Sequence, residues 1–94
     1  GSRWTINGPA TSRLVYRSHY PLTSSADTLN TSLVAYDLPA VSNAYSVATN
    51  GNIAIIEGFL TPIDDGTVTA RFASEVASSA ITAKAGSYVD YAVV

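Results

Sequence analysis

Apolar and polar residues alternate along this chain in short runs, and turn-forming residues separate the runs. In Arg13 to Tyr20, period two puts Tyr16, Ser18 and Tyr20 on one face of an extended segment and Arg17 and His19 on the other. The run stops at Pro21, which cannot donate to a ladder. Leu22 to Thr28 reads as a polar loop, and Leu29 to Leu38 as a second strand ending at Pro39. Tyr45 to Thr49 alternates again. Asn50-Gly51 then supplies a strong hairpin signal, because a type I′ turn needs positive φ at both central residues. Ile53 to Leu60 forms the return strand. Asp64-Asp65-Gly66 makes a second tight turn, and Thr67 to Ala73 sets Val68, Ala70 and Phe72 against Thr67, Thr69 and Arg71. Ile81 to Ala85 is a short strand, Gly86 a bend, and Ser87 to Val94 a final strand.

Closely spaced strands with turns between them predict an all-β fold. Seven or eight strands in so short a chain suit a two-sheet antiparallel sandwich of jelly-roll type. Phe72 to Ala80 has a competing helical reading from its alanines, which its serines and β-branched neighbours weaken. Residues 13–94 are expected to form one β-sandwich domain. Residues 1–12 read as an expression scar, Gly1-Ser2, followed by a linker or an arm lying against a neighbour.

Composition changes that picture from a fold to an assembly. Of the 94 residues, 13% are charged and 47% hydrophobic, against roughly 25% charged in an ordinary soluble domain. Mean hydropathy is +0.18 in a mass of 9.8 kDa. Small domains bury a smaller fraction of their surface than large ones, so part of this apolar surface is expected to be covered by other copies. Edge protection is thin too, with one lysine and prolines confined to strand ends. A homo-oligomer follows, with a trimer favoured over a dimer. There is no cysteine, which removes disulfides and thiolate chemistry. The longest apolar run, Ile53 to Ile56, is far short of a membrane span. Net charge is −2; Arg3, Arg13 and Arg17 occupy the acid-free first twenty residues, too few for a nucleic-acid footprint.

Candidate chemistry is sparse. His19 is the single histidine, and no serine sits in a nucleophile elbow. Asp64-Asp65-Gly66 resembles part of a calcium loop but lacks the spaced acids of a working site. No catalytic residue, metal or cofactor is expected. Asn30-Thr31-Ser32 matches a glycosylation sequon, a tripeptide frequent by chance. Tyrosines are the more informative set, since their rings suit interfaces and sugar-stacking surfaces. Trp4, Arg17, His19 and Tyr20 are the candidate ligand-binding residues, and Tyr16, Tyr36, Tyr88 and Tyr91 the candidate subunit contacts.

The second half also has a familiar cadence: Tyr45-Ser46-Val47, Ile55 to Leu60, Gly66 to Val76, then Ile81 to Tyr88. It resembles the C-terminal β domains of bacteriophage structural proteins, the tips of tail, collar and head fibres. The resemblance covers about residues 20–94 and departs from the pattern at the Asn50-Gly51 insertion, which leaves the local strand count open. It implies an all-β, trimer-forming, non-enzymatic virion module, often engaged in host attachment through a surface glycan or protein. Two alternatives remain beside it. One is a small carbohydrate-binding domain appended to an enzyme or adhesin, with Trp4 and Tyr16 or Tyr20 as the stacking platform. The other is a small hydrolase resting on His19 and scattered acids.

Overall fold

The computed structural model describes residues 2–45, 51–76 and 81–93. It is all-β, with two antiparallel sheets and five strands: β1 (Ser2–Asn7), β2 (Thr11–Pro21), β3 (Asp27–Leu33), β4 (Ile55–Pro62) and β5 (Thr69–Ser74). The larger sheet has the order β3-β2-β4 and the smaller pairs β1 with β5. The chain therefore starts in the small sheet, builds the large one, and returns.

Among the described residues, five strands stand where seven or eight are expected of the chain. Tyr45 to Thr49 lies largely outside the described residues, as does Asn50. Gly51 itself holds φ 77°, the left-handed backbone its turn requires. Residues 81–85 and 87–93 are described and are not strands. Their alternation is genuine, but a strand is defined by a partner, and they find none here. Ser2–Asn7, expected within an arm, is strand β1. Trp4, Thr5 and Ile6 pair with Phe72, Arg71 and Ala70 of the same chain. Asp64-Asp65-Gly66 does not close a hairpin; β4 and β5 belong to different sheets, so this segment carries the chain across. Phe72 to Ser74 extends β5, so the helical reading fails there.

β2 organises the large sheet because its two faces differ in kind. Tyr16, Ser18 and Tyr20 are buried while Arg17 and His19 are exposed, as period two requires. On one side it pairs with β4, Val15 facing Phe59, Tyr16 facing Gly58 and Arg17 facing Glu57. On the other it pairs with β3, with a register shift between Tyr16 and Ser18 that coincides with Ser32 at φ 55°. That bulge and the left-handed residue end the regular pairing. The chain beyond Leu33 then folds back over the inner face and does not continue as the expected strand to Leu38.

The interior is small and unusually polar. Among the described residues the buried apolar side chains are Tyr16, Tyr20, Pro39 and Ala44, and Ser2, Thr5 and Ser18 are buried with them. Each buried hydroxyl needs a partner in a low-dielectric site. Tyr16 Oη donates to the Ala35 carbonyl at 2.7 Å and accepts from the Leu38 amide at 3.1 Å, with Thr5 Oγ1 at 3.3 Å. Tyr36 Oη donates to the Pro9 carbonyl at 2.8 Å, and the Ile63 amide to the Ala10 carbonyl at 3.0 Å. The two connections between the sheets are thereby held near the chain that covers them.

Asp37 fixes the small sheet to that covering loop. Its amide donates to the Ile6 carbonyl at 3.0 Å, Asn7 Nδ2 donates to its Oδ2 at 2.8 Å, and Arg71 Nη1 to its Oδ1 at 2.8 Å. It does this at φ 62°, a conformation aspartate tolerates better than most residues. Two losses should therefore separate. Asp37→Ala removes the carboxylate and strains the backbone, and is expected to cost about 2 kcal/mol. Asp37→Gly removes only the carboxylate, and should cost about half as much. Thermal unfolding of the two variants checks the order; equal losses would leave no role for the backbone conformation.

Candidate functional site

The outer face of the large sheet gathers more exposed chemistry than any other surface of the described chain. Alternation in β2 puts Arg13, Val15, Arg17 and His19 there, and the register brings Phe59, Glu57 and Ile55 beside them from β4 and Leu29 from β3. Arg17 and Glu57, cross-strand neighbours, form a fork: Nη2 lies 2.6 Å and Nε 2.7 Å from Oε1. His19 Nε2 and Asp27 Oδ2 are 3.0 Å apart. The Arg13 guanidinium stands 5.9 Å from the centre of the Phe59 ring, within the range of a cation–π contact. Each pair is well exposed, so each is worth at most about 1 kcal/mol. Their consequence is for charge. Glu57 offsets the charge of Arg17, and Arg13, which keeps its charge over the Phe59 ring, is too little to make this face a basic patch.

Between the charged pairs the face is apolar, with Ile55, Phe59 and Leu29 exposed. A groove of about 590 Å³ is lined by Arg17, Thr31, Ser32, Glu57, Gly58 and Phe59 among others. A smaller cavity of about 250 Å³ lies in the small sheet beside Arg3, Asp37 and Arg71. Its charges are already committed, Arg71 to Asp37 and Arg3 Nη1 to the Ala40 carbonyl at 2.6 Å.

The four candidate ligand residues do not form one site. Arg17 and His19 share the outer face. Tyr20 is 2% exposed on the inner face, so its ring offers no surface to a ligand. Trp4 belongs to the small sheet, stacked on Phe72 with centroids 4.7 Å apart at 21°, its Nε1 donating to Ser2 Oγ at 3.0 Å. One face of the indole is thus taken. The candidate subunit contacts divide as well. Tyr16 is 3% exposed and packs inside the protomer, and Tyr36 is half-buried. Tyr88 and Tyr91 are 87% and 84% exposed.

The residues the alternation missed are Asn30 and Asn43. Asn30 Nδ2 donates to Ser18 Oγ and to Tyr20 Oη, both at 3.0 Å; Tyr20 Oη donates to Asn43 Oδ1; and Asn43 Nδ2 returns to Asn30 Oδ1 at 3.1 Å. This closed ring of three side chains is structural. It also occupies the nitrogen that a glycan at Asn30 would need. Burial pushes the Tyr20 phenol above its ordinary value, partly offset by hydrogen bonding from Ser18 and Asn30.

Among the described residues, no group of three or more histidine, aspartate or glutamate side chains is placed to hold a metal. Asp27 is engaged with His19, and Asp37 with Asn7 and Arg71. In comparisons with known proteins, no family model, no curated protein and no solved structure matches the chain.

Proposed function

We propose that this chain is a non-enzymatic structural module that works as a homo-oligomer, a trimer in preference to a dimer. Its sequence cadence points to a fibre or spike tip on a virus particle, where exposed loops would meet a host-surface glycan or protein. The observation that carries the assembly is the surface. A folded monomer of this mass exposes roughly 5,200 Å² by the usual scaling, and this protomer exposes 6724 Å². The excess is roughly 1,500 Å². Divided between two neighbours, as in a ring of three, it comes to about 750 Å² per contact, close to the roughly 800 Å² per partner of a stable interface. The radius of gyration, 13.8 Å, exceeds the roughly 12.4 Å expected for the length. A jelly-roll sandwich would be completed only in the assembly, where segments unpaired in the protomer gain partners.

The carbohydrate-binding alternative is weaker on geometry. Its platform needs Trp4 beside Tyr16 or Tyr20, yet both tyrosines are buried and the indole is covered on one side by Phe72.

Light scattering coupled to size exclusion tests the assembly. At micromolar concentration the chain is expected to elute at three times its 9.8 kDa protomer mass. Elution at the protomer mass would remove the reading.

A further inference from the structure

We infer that residues 87–93 of one copy add as a strand to the edge of β5 in a second copy, the edge that is unpaired among the described residues. The inference rests on the proposed assembly and names the contact that makes it.

The donor is a strand in all but pairing. Ser87-Tyr88-Val89-Asp90-Tyr91-Ala92-Val93 alternates Val89, Tyr91 and Val93 against Tyr88, Asp90 and Ala92, and is rich in β-branched and aromatic residues. Ser87 bonds back to the Lys84 carbonyl through its amide and hydroxyl. Beyond it, Tyr88, Val89, Tyr91 and Val93 stand 74–92% exposed, and none of these residues takes a hydrogen bond within the described chain. Large apolar side chains stand in water on both faces of the segment, Val89, Tyr91 and Val93 on one and Tyr88 on the other, as on a strand awaiting a contact surface.

The acceptor is identified by elimination among the strand edges. β1 is already closed: Ser2 and Ala44 exchange two backbone hydrogen bonds at 3.0 and 2.8 Å, and the Asp37 amide reaches the Ile6 carbonyl. The β3 edge is interrupted by Ser32 at φ 55°, beside the bulge. The β4 edge carries Gly58 in its interior and Pro62 at its end. Bulges, prolines and glycines are what keep an edge from accepting another strand. β5, Thr69-Ala70-Arg71-Phe72-Ala73-Ser74, has none of them, and its one charge is tied down by Asp37. It is half of a two-stranded ribbon, an arrangement marginal until a third strand joins. Strand addition gives β5 its missing ladder and covers the exposed apolar row in one step.

The chain has no cysteine, so the test can use introduced thiols without background. Copies carrying Ala70→Cys, mass-tagged, are mixed with untagged copies carrying Asp90→Cys and treated with a short bismaleimide. A cross-link between tagged and untagged chains is expected. In parallel, Val89→Pro/Asp90→Pro interrupts both edges of the donor segment, which beyond Ser87 has no hydrogen bonds among the described residues to lose. That variant should raise the concentration at which the oligomer dissociates tenfold or more. Three results overturn the inference. If the Ala70→Cys/Asp90→Cys double variant cross-links only within single chains, the strand returns to its own β5. If the parent chain is oligomeric and the proline variant equally so, this contact is wrong while the assembly stands. If the parent chain is monomeric, the assembly reading fails and takes the contact with it.

Discussion

Gly58→Ala is expected to destabilise the protein by about 3 kcal/mol or more, the upper range for overpacking a sheet. A Cβ at this position would lie 2.2 Å from the Val15 carbonyl oxygen, 2.5 Å from Tyr16 Cα and 2.6 Å from Tyr16 Cβ. These are atoms of the central strand, not the far end of a flexible side chain, so the clash is relieved only by moving β2 or β4. Either movement propagates. Tyr16 faces Gly58 in the register, and its hydroxyl fastens β2 to Ala35 and Leu38 of the covering loop. Shifting that ring by even half an ångström degrades both hydrogen bonds and opens the small core. Urea unfolding at a fixed protomer concentration measures the loss, since oligomer stability depends on concentration. Glu57→Ala is the neighbouring control: it removes half of an exposed ion pair and should cost less than about 1 kcal/mol. If Gly58→Ala behaves like that control, the close approach of the two strands is not what sets the register.

The parts of this fold that could be read beforehand are those where side-chain type alternates and the partner lies within the same chain. β2 is the clearest case: its buried and exposed residues follow period two from Tyr16 to Tyr20, and it ends where Pro21 ends it. β5 and β4 were legible within two residues at either end. β1 was hidden by the Gly8-Pro9 bend beside it, although Trp4-Thr5-Ile6 carries the aromatic and β-branched signal of a short strand. The final segment shows the converse. Its alternation is as regular as that of β5, but periodicity reports which faces a chain would present and says nothing about where the neighbouring strand comes from. The outer face was half legible. Arg17 and His19 were placed together correctly, whereas Glu57 and Asp27 join them through pairings forty and eight residues apart that no local pattern encodes. Least legible was the polar interior. Serine, threonine and asparagine outside a regular strand read as loop or surface, so Asn30 and Asn43 gave no sign that they line the inside, whereas alternation alone sets Ser18 on the face of Tyr16 and Tyr20. The excess of tyrosine over phenylalanine was the available clue. A core filled by phenols needs acceptors and donors near it, and short polar side chains supply them.

That polar interior leads to the last expected result. Tyr20→Phe keeps the ring and deletes the hydroxyl, leaving Asn43 Oδ1 without its donor and one Asn30 N–H without its acceptor. Both groups are partly buried, so their lost hydrogen bonds should cost about 1–3 kcal/mol. The loss should exceed that of a single bond, because the three side chains form a ring in which each bond polarises the next. pH gives an independent handle. Burial raises the Tyr20 phenol above its ordinary 10.0. Above pH 10 the unfolded chain releases this proton while the folded chain still holds it. The folded state then binds more protons, so stability falls as pH rises. The contribution is intact below pH 10 and disappears as pH climbs through the raised folded value, when the phenolate can no longer donate to Asn43. Melting temperatures between pH 8 and 11 should therefore decline more steeply for the parent chain than for Tyr20→Phe, and the two curves should converge at the alkaline end. Parallel curves would mean that the hydroxyl titrates as it does in water, and the closed ring around it would not be the buried structure described here.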